Sequence, residues 1–225
     1  MQRRDFMASG AALALLGLAG CSGGLRYSLI EAIQRLLSLS SQRALARLMA
    51  PGGFYDSQIG RISLPDSLGG SSGGSLLSRV LLSGVLRDRL LRQVNRAAEK
   101  GAERAAPVIA DAILAVSPAD AATILKASGP AATNLLQQAM GPALLNAMLP
   151  GIDDGLRLFD SAVVTDALKM ATGIDFAGLR DDVTRKASDA IFAEIGKEEM
   201  TIRADPKSTN DPVLIATLGA AGLMR

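Results

Sequence analysis

Glu194 and Glu198, four residues apart, are the carboxylates best spaced for chemistry in this chain. On a helix numbered from Val183 they fall at the centre of the face formed by Val183, Ala187, Ile191, Ile195 and Ile202. A carboxylate in an apolar stripe must be neutralised, paired with a cation or bound to a metal. One reading is therefore acid–base or divalent-metal chemistry of a carboxylate-based hydrolase. The other is a structural ion pair with an arginine from the helix predicted over Ser75 to Arg104, or a rim position. Metal sites built from carboxylates in helical bundles normally add His, and the chain has none. That favours the structural reading, with no metal or cofactor assigned and no catalytic residue named.

Asn95, Arg96 and Glu99 form a second candidate cluster. Asn95 lies near the border between an apolar and a basic helix face, where it can cap or bridge a neighbouring helix. Arg89, Arg92, Arg96 and Lys100 follow at spacings of three, four and four on the side opposite Leu90, Leu91, Val94, Ala97, Ala98 and Ala105. Such a stripe meets anionic lipid headgroups or an acidic partner, or is simply a solvated face. No Ser-x-x-Lys supports a serine nucleophile.

The elements that position these groups must be helical. Of 225 residues 48% are hydrophobic and only 3% aromatic, so the core is Leu, Ala, Val and Ile packed through small side chains. Without His there is no His-bearing triad and no imidazole zinc site. A formal charge of +2 gives no general attraction to nucleic acid.

Residues 1–20 read as a cleaved export signal. Arg3 and Arg4 precede an uncharged stretch from Ala8 to Gly20, too short to span a bilayer, for which about 20 residues are needed. Leu18-Ala19-Gly20-Cys21 resembles a bacterial lipobox, which implies cleavage between Gly20 and Cys21 and lipidation of Cys21. Gln2-Arg3-Arg4-Asp5-Phe6-Met7 resembles a twin-arginine signal through Arg3, Arg4 and Phe6, with an ordinary secretory signal as the alternative. Ser22 stands where Asp commonly marks inner-membrane retention, which points to the periplasmic face of the outer membrane.

Residues 21–26 are expected as the lipidated tether and 27–225 as one all-helical domain, interrupted by a Gly/Ser-rich loop at 51–74. The spacing predicts helices over Leu25–Ala50 and Ser75–Arg104, with Pro107 starting the next. Ser117-Pro118-Ala119-Asp120 reads as a capping box, and that helix stops near Ser128-Gly129-Pro130. Ala127 to Ile152 carries no charge. Pro130, Gly141-Pro142 and Pro150-Gly151 argue against a membrane span and for two short buried helices, a surface for lipid or a partner being the alternative. Asp153-Asp154 is expected to cap a helix to about Ala171, ended by Gly173. A helix from about Leu179 to Arg203 halts at Asp205-Pro206, and Asp211-Pro212 caps a last one over Val213–Leu218. The sum is an all-α, single-domain bundle of about eight helices with short connections.

Asn95-Arg96-Ala97-Ala98-Glu99, Ala106-Pro107, Asp111-Ala112-Ile113, Asp120-Ala121 and Ile124-Leu125 follow in an order that resembles the domain-of-unknown-function 4197 family. So do Gly53-Phe54, Ile62-Ser63-Leu64-Pro65, and Glu198-Glu199 with Ile202-Arg203 and Asp205-Pro206. The resemblance runs with gaps from Leu29 to Leu218. It implies an all-helical exported bacterial protein, adds Glu199 and Arg203 to the candidate polar residues and supplies no mechanism. The chain departs from the family pattern at Leu135, Leu136, Gln137 and Gln138, where aromatics and charges are usual.

The leading expectation is an envelope lipoprotein whose body binds an unknown envelope protein or assists assembly, without enzymatic activity. The membrane is a partner through the lipid on Cys21, and nucleic acid is not one. A carrier of lipid or another hydrophobic ligand and the carboxylate-based hydrolase are the alternatives.

Overall fold

The computed structural model describes residues 21–64, 84–157 and 175–222, together with 166 and 169. Among them are seven α-helices and no strand: α1 Cys21–Leu48, α2 Gly53–Asp56, α3 Gly84–Leu114, α4 Pro118–Lys126, α5 Ala131–Leu156, α6 Phe176–Ala204 and α7 Pro212–Gly222, with a 3-10 turn at Pro206–Thr209. The all-α expectation holds, with one helix fewer than eight. The export signal, the Gly/Ser run 69–74, the start of the helix predicted from Ser75 and the stop at Gly173 lie outside the described residues. Residues 21–26, expected as a tether, already carry the helical backbone of α1.

Helix ends follow local chemistry. Ser117 and Asp120 make the reciprocal capping box at the start of α4. Gly129, at φ +71°, turns the chain before α5. The Asp175 side chain accepts from the Gly178 N–H at the start of α6. Asp211 caps α7 by accepting from the N–H groups of Val213 and Leu214.

Among the described residues, three prolines expected to start or break helices do neither. Pro107 lies inside α3, and Pro142 and Pro150 lie inside α5, which runs unbroken where two short helices are predicted. All three rings are exposed. Gln138 and Asn146, whose carbonyls lose their helical N–H partners to Pro142 and Pro150, are exposed too, so water replaces the missing bond. Asp153 and Asp154 accordingly sit in the last turn of α5 rather than capping a new helix.

The uncharged stretch is explained by packing. Leu136, Met140, Leu144, Met148, Ile152 and Leu156 form one buried stripe of α5. Its glycines let α5 lie antiparallel on α3 almost backbone to backbone. A Cβ at Gly151 would stand 2.3 Å from the Lys100 carbonyl oxygen, and one at Gly155 would stand 2.3 Å from Cα of Ala97. Among the described residues no single helix is long and apolar enough to cross a membrane.

α1 is central. Ile33, Leu36, Leu37, Ala44, Leu45 and Leu48 are buried in the common core with Val94, Ala98 and Ile109 of α3 and Val183, Ile191 and Ile195 of α6. The segment after α2 is extended but pairs with no strand. Its buried Ile62 is held by Asn95, whose Oδ1 accepts from the Ile62 N–H at 2.8 Å and whose Nδ2 donates to the Ile62 carbonyl at 3.0 Å.

Candidate functional site: an arginine-lined groove

α1 ends at Leu48, and the chain reverses through Pro51 and Gly52 into α2. Gly52 adopts φ +83°, a left-handed conformation that glycine takes without a steric cost. Its N–H donates to Glu99 of α3 at 2.9 Å, fixing the turn against that helix. Buried Phe54 anchors α2 in the core and leaves its neighbour Tyr55 half-buried at the surface.

Between this turn and α3 lies a groove of about 660 Å³, lined among others by Pro51, Gly52, Tyr55, Asp56, Leu90 and Gln93. Arg89, Arg92 and Arg96 project along its α3 side, and Glu99 closes one end. Tyr55 is held in place from three directions. Its hydroxyl donates to Asp88 at 2.6 Å, and the guanidinium carbons of Arg61 and Arg92 each lie 4.3 Å from its ring centre. Arg61 also donates to the Tyr55 carbonyl. Arg92 Nε donates to Asp88 at 2.9 Å.

The hydroxyl's bond to Asp88 raises the Tyr55 phenol above its ordinary value and holds the Asp88 carboxyl below its own. Burial pushes Glu99 up, against the opposing Gly52 N–H. Arg92 is thus tied to Asp88, whereas Arg89 and Arg96 are exposed and form no hydrogen bond or salt bridge among the described residues. The three arginines form a cationic edge beside an aromatic ring clamped in position, an arrangement suited to holding an anion.

The other candidates are occupied. Glu194 and Glu198 are buried and face cations, as the structural reading requires. The guanidiniums come from α1, not from the helix containing Arg89 to Arg104, and Lys197 of α6 itself lies 3.8 Å from Glu194. Arg47 Nη2 donates to Glu198 at 2.6 Å and lies 3.6 Å from Glu194, and Arg43 lies 3.9 Å from Glu198. Ser57 donates to the second Glu194 oxygen at 2.6 Å. A carboxylate pair already facing two guanidiniums is poorly disposed to a divalent cation.

Glu199 is fully buried and caps α5. It accepts from the N–H groups of Ala132 and Thr133, at 3.1 and 2.8 Å, and from the Thr133 hydroxyl. Arg203, one turn on, donates to Glu199 at 2.8 Å and to the Ile124 carbonyl at the end of α4. Glu199 and Arg203 therefore splice α4, α5 and α6 together. Asn95 bridges as expected, but to the extended segment rather than to a helix.

Of the polar residues singled out from sequence, Arg96 and Glu99 meet at the groove together with Arg89 and Arg92 of the basic stripe. Tyr55, Asp88 and Arg61 complete it and were not singled out from sequence. An isolated aromatic directly after Pro51-Gly52-Gly53 was the available signal for Tyr55. Arg43 and Arg47, spaced i,i+4 beside Leu45 and Leu48, were the signal for the partners of Glu194 and Glu198.

A family model described as "Protein of unknown function (DUF4197)" matches residues 26–219. No curated protein and no solved structure matches the chain.

Proposed function

The chain belongs to the DUF4197 family, and from that premise we propose that it is an envelope lipoprotein, anchored by acyl chains on Cys21, whose helical body is a non-enzymatic partner-binding module. The observation that carries this reading is the groove between α2 and α3. Among the described residues Arg89 and Arg96 make no hydrogen bond or salt bridge, Arg96 acting on Glu99 through charge alone, and they stand beside Tyr55, which Asp88, Arg61 and Arg92 hold at the surface. An ordered aromatic beside guanidiniums that make no hydrogen bond or salt bridge among the described residues supports a recognition surface.

The alternatives draw less support. The uncharged stretch that suggested a hydrophobic-ligand carrier packs against α3 through Gly151 and the side chains of Met148 and Ile152. The carboxylates that suggested a hydrolase lie against Arg43 and Arg47. The lipobox and the paired arginines support export with acylation, which holds firmly once two or more chains insert.

The test is site-specific photocrosslinking in the intact envelope. A photoreactive residue at position 89 or 96 is expected to give an adduct of discrete mass, and the same residue at Gln138 is expected to give none. Equal labelling at all three positions, or none at 89 and 96, overturns the reading. Metabolic labelling with a fatty acid, lost in Cys21→Ser, checks the anchor, and replacing Arg3 and Arg4 by Lys checks the export route.

A further inference from the structure

Resting on the groove as a partner-binding surface, we propose that its occupant is an extended acidic peptide segment of a protein partner, bound at the end of the molecule away from the lipid anchor.

Three observations converge. First, Arg89 and Arg96 are seven residues apart on one face of α3, so their Cα atoms are about 10 Å apart along the helix. Both lack hydrogen bonds and salt bridges among the described residues, while Arg92 between them is held by Asp88. Carboxylates three residues apart on a polyproline-type strand lie on one side of it at about 9 Å, a near match to the spacing of Arg89 and Arg96. Second, the groove pairs that charge with apolar wall. Pro51, Leu90 and the Tyr55 ring line it, the mixture that suits a peptide backbone flanked by small apolar side chains. Its own carboxylates, Asp56 and Glu99, temper the field, and Glu99 is already turned to the Gly52 N–H. The surface therefore selects charges at the arginine positions instead of attracting any polyanion.

Third, α1 separates the groove from the membrane. Its 28 residues run from Cys21 to Leu48, and the groove wall at Pro51 and Gly52 follows directly. The acylated residue and the groove thus lie at opposite ends of a helix about 40 Å long. At physiological salt the headgroup potential decays over about 8 Å, a small fraction of that length. The length of α1 is thus compatible with a soluble acidic segment as the occupant, and anionic vesicles test the headgroups as its competitor.

The experiment uses the acylated protein inserted in neutral phosphatidylcholine vesicles and a fluorescein-labelled peptide of Glu-Pro-Pro repeats. Anisotropy is expected to show saturable binding, weakened at least tenfold in the Arg89→Glu/Arg96→Glu double variant and unchanged in Arg87→Glu. Arg87 is exposed on another face of α3, so it controls for a charge reversal on the same helix outside the groove. A Lys-Pro-Pro peptide is expected not to bind. Vesicles containing phosphatidylglycerol are the competing anion. If they abolish peptide binding to wild type at constant ionic strength, the groove meets headgroups and the proposal falls. It falls equally if the double variant binds the peptide like wild type, or if wild type does not bind it. Crosslinks at 89 and 96 that persist in either case leave the groove a partner surface and overturn only its acidic-peptide specificity. Loss of the crosslinks themselves overturns the underlying reading.

Discussion

Two charged regions of this molecule use the same side-chain chemistry to opposite ends. On α6, Glu194, Glu198 and Glu199 are buried, and each is met by a hydroxyl, N–H groups or a guanidinium from elsewhere in the chain. Glu194 Oε2 faces its cations, Arg47 at 3.6 Å and Lys197 at 3.8 Å, without a hydrogen bond. On α3, Arg89 and Arg96 are exposed and unmet among the described residues. The carboxylates look more like a site in sequence, because charge in an apolar stripe draws the eye. Their burial instead demanded partners, and those partners came from within the chain. Arginines on a solvated face carry no such demand, so their grouping beside an immobilised tyrosine is what remains available to a ligand. Internal compensation separates framework from site here better than burial does.

The comparison is sharpest where its framework side is removed. Glu199→Ala strips the N-terminal cap of α5 and leaves Arg203, itself mostly buried, without its carboxylate. Breaking such a buried pair is expected to cost about 3–5 kcal/mol in chemical denaturation. A loss below about 1 kcal/mol would mean that water reaches the site and that the framework reading of α6 is wrong.

A smaller and asymmetric effect is expected at the α1–α6 pair. Arg47→Ala leaves two nearly buried carboxylates with the Ser57 hydroxyl on Glu194 and, as described cations, Arg43 and Lys197 at 3.9 and 3.8 Å. Glu198→Gln frees a guanidinium that is already half exposed and can return to water. After discounting for that exposure, we expect about 2 kcal/mol for Arg47→Ala and about 1 kcal/mol for Glu198→Gln. The reverse order in melting or denaturation would show that the carboxylates, not the arginine, are the solvated partners.

Glu99 lies between the two classes, since it lines the groove yet holds the Gly52 turn. Burial raises its folded-state value above the ordinary 4.5. The folded protein therefore keeps this proton to higher pH than the unfolded chain does. The resulting stabilisation is complete below the unfolded value and is lost as pH rises through the folded one. Glu99→Gln retains an acceptor for the Gly52 N–H and removes the titration. Its stability relative to wild type is expected to improve between pH 4 and pH 7, and a flat difference would mean that Glu99 is solvated.

Much of this architecture is legible in sequence where the determinants are local. The Ser117–Asp120 box, the Asp211 cap and the stop at Asp205-Pro206 each depend on groups within a few residues, and each is found. The α5 prolines mislead because their cost depends on whether the orphaned carbonyl faces solvent, which is decided by packing against α3. The identity of the cation facing Glu198 is a contact across 151 positions. Nothing in the spacing of α6 distinguishes Arg47 of α1 from an arginine of α3. Tyr55 is missed for the same reason: its importance lies in Asp88, Arg61 and Arg92 converging on it, not in its own neighbours.

The smallest expected effect tests the comparison from the side of the site. Arg89→Glu/Arg96→Glu removes two exposed guanidiniums that hold nothing in the described structure. Folding stability is therefore expected to change by no more than about 0.5 kcal/mol. One term favours the variant slightly, because α3 carries Arg87, Arg92 and Lys100 on the same helix as the substituted positions. Another opposes it, because the new carboxylates join Asp56 and Glu99 around the groove. Both act between solvent-exposed groups and are screened by salt, so neither should dominate at physiological ionic strength. Denaturation at low and at high salt separates them: the difference between variant and wild type should shrink towards zero as salt rises. A salt-independent loss approaching that of Arg47→Ala would make these arginines framework as well, and the distinction between α6 and α3 would disappear with it.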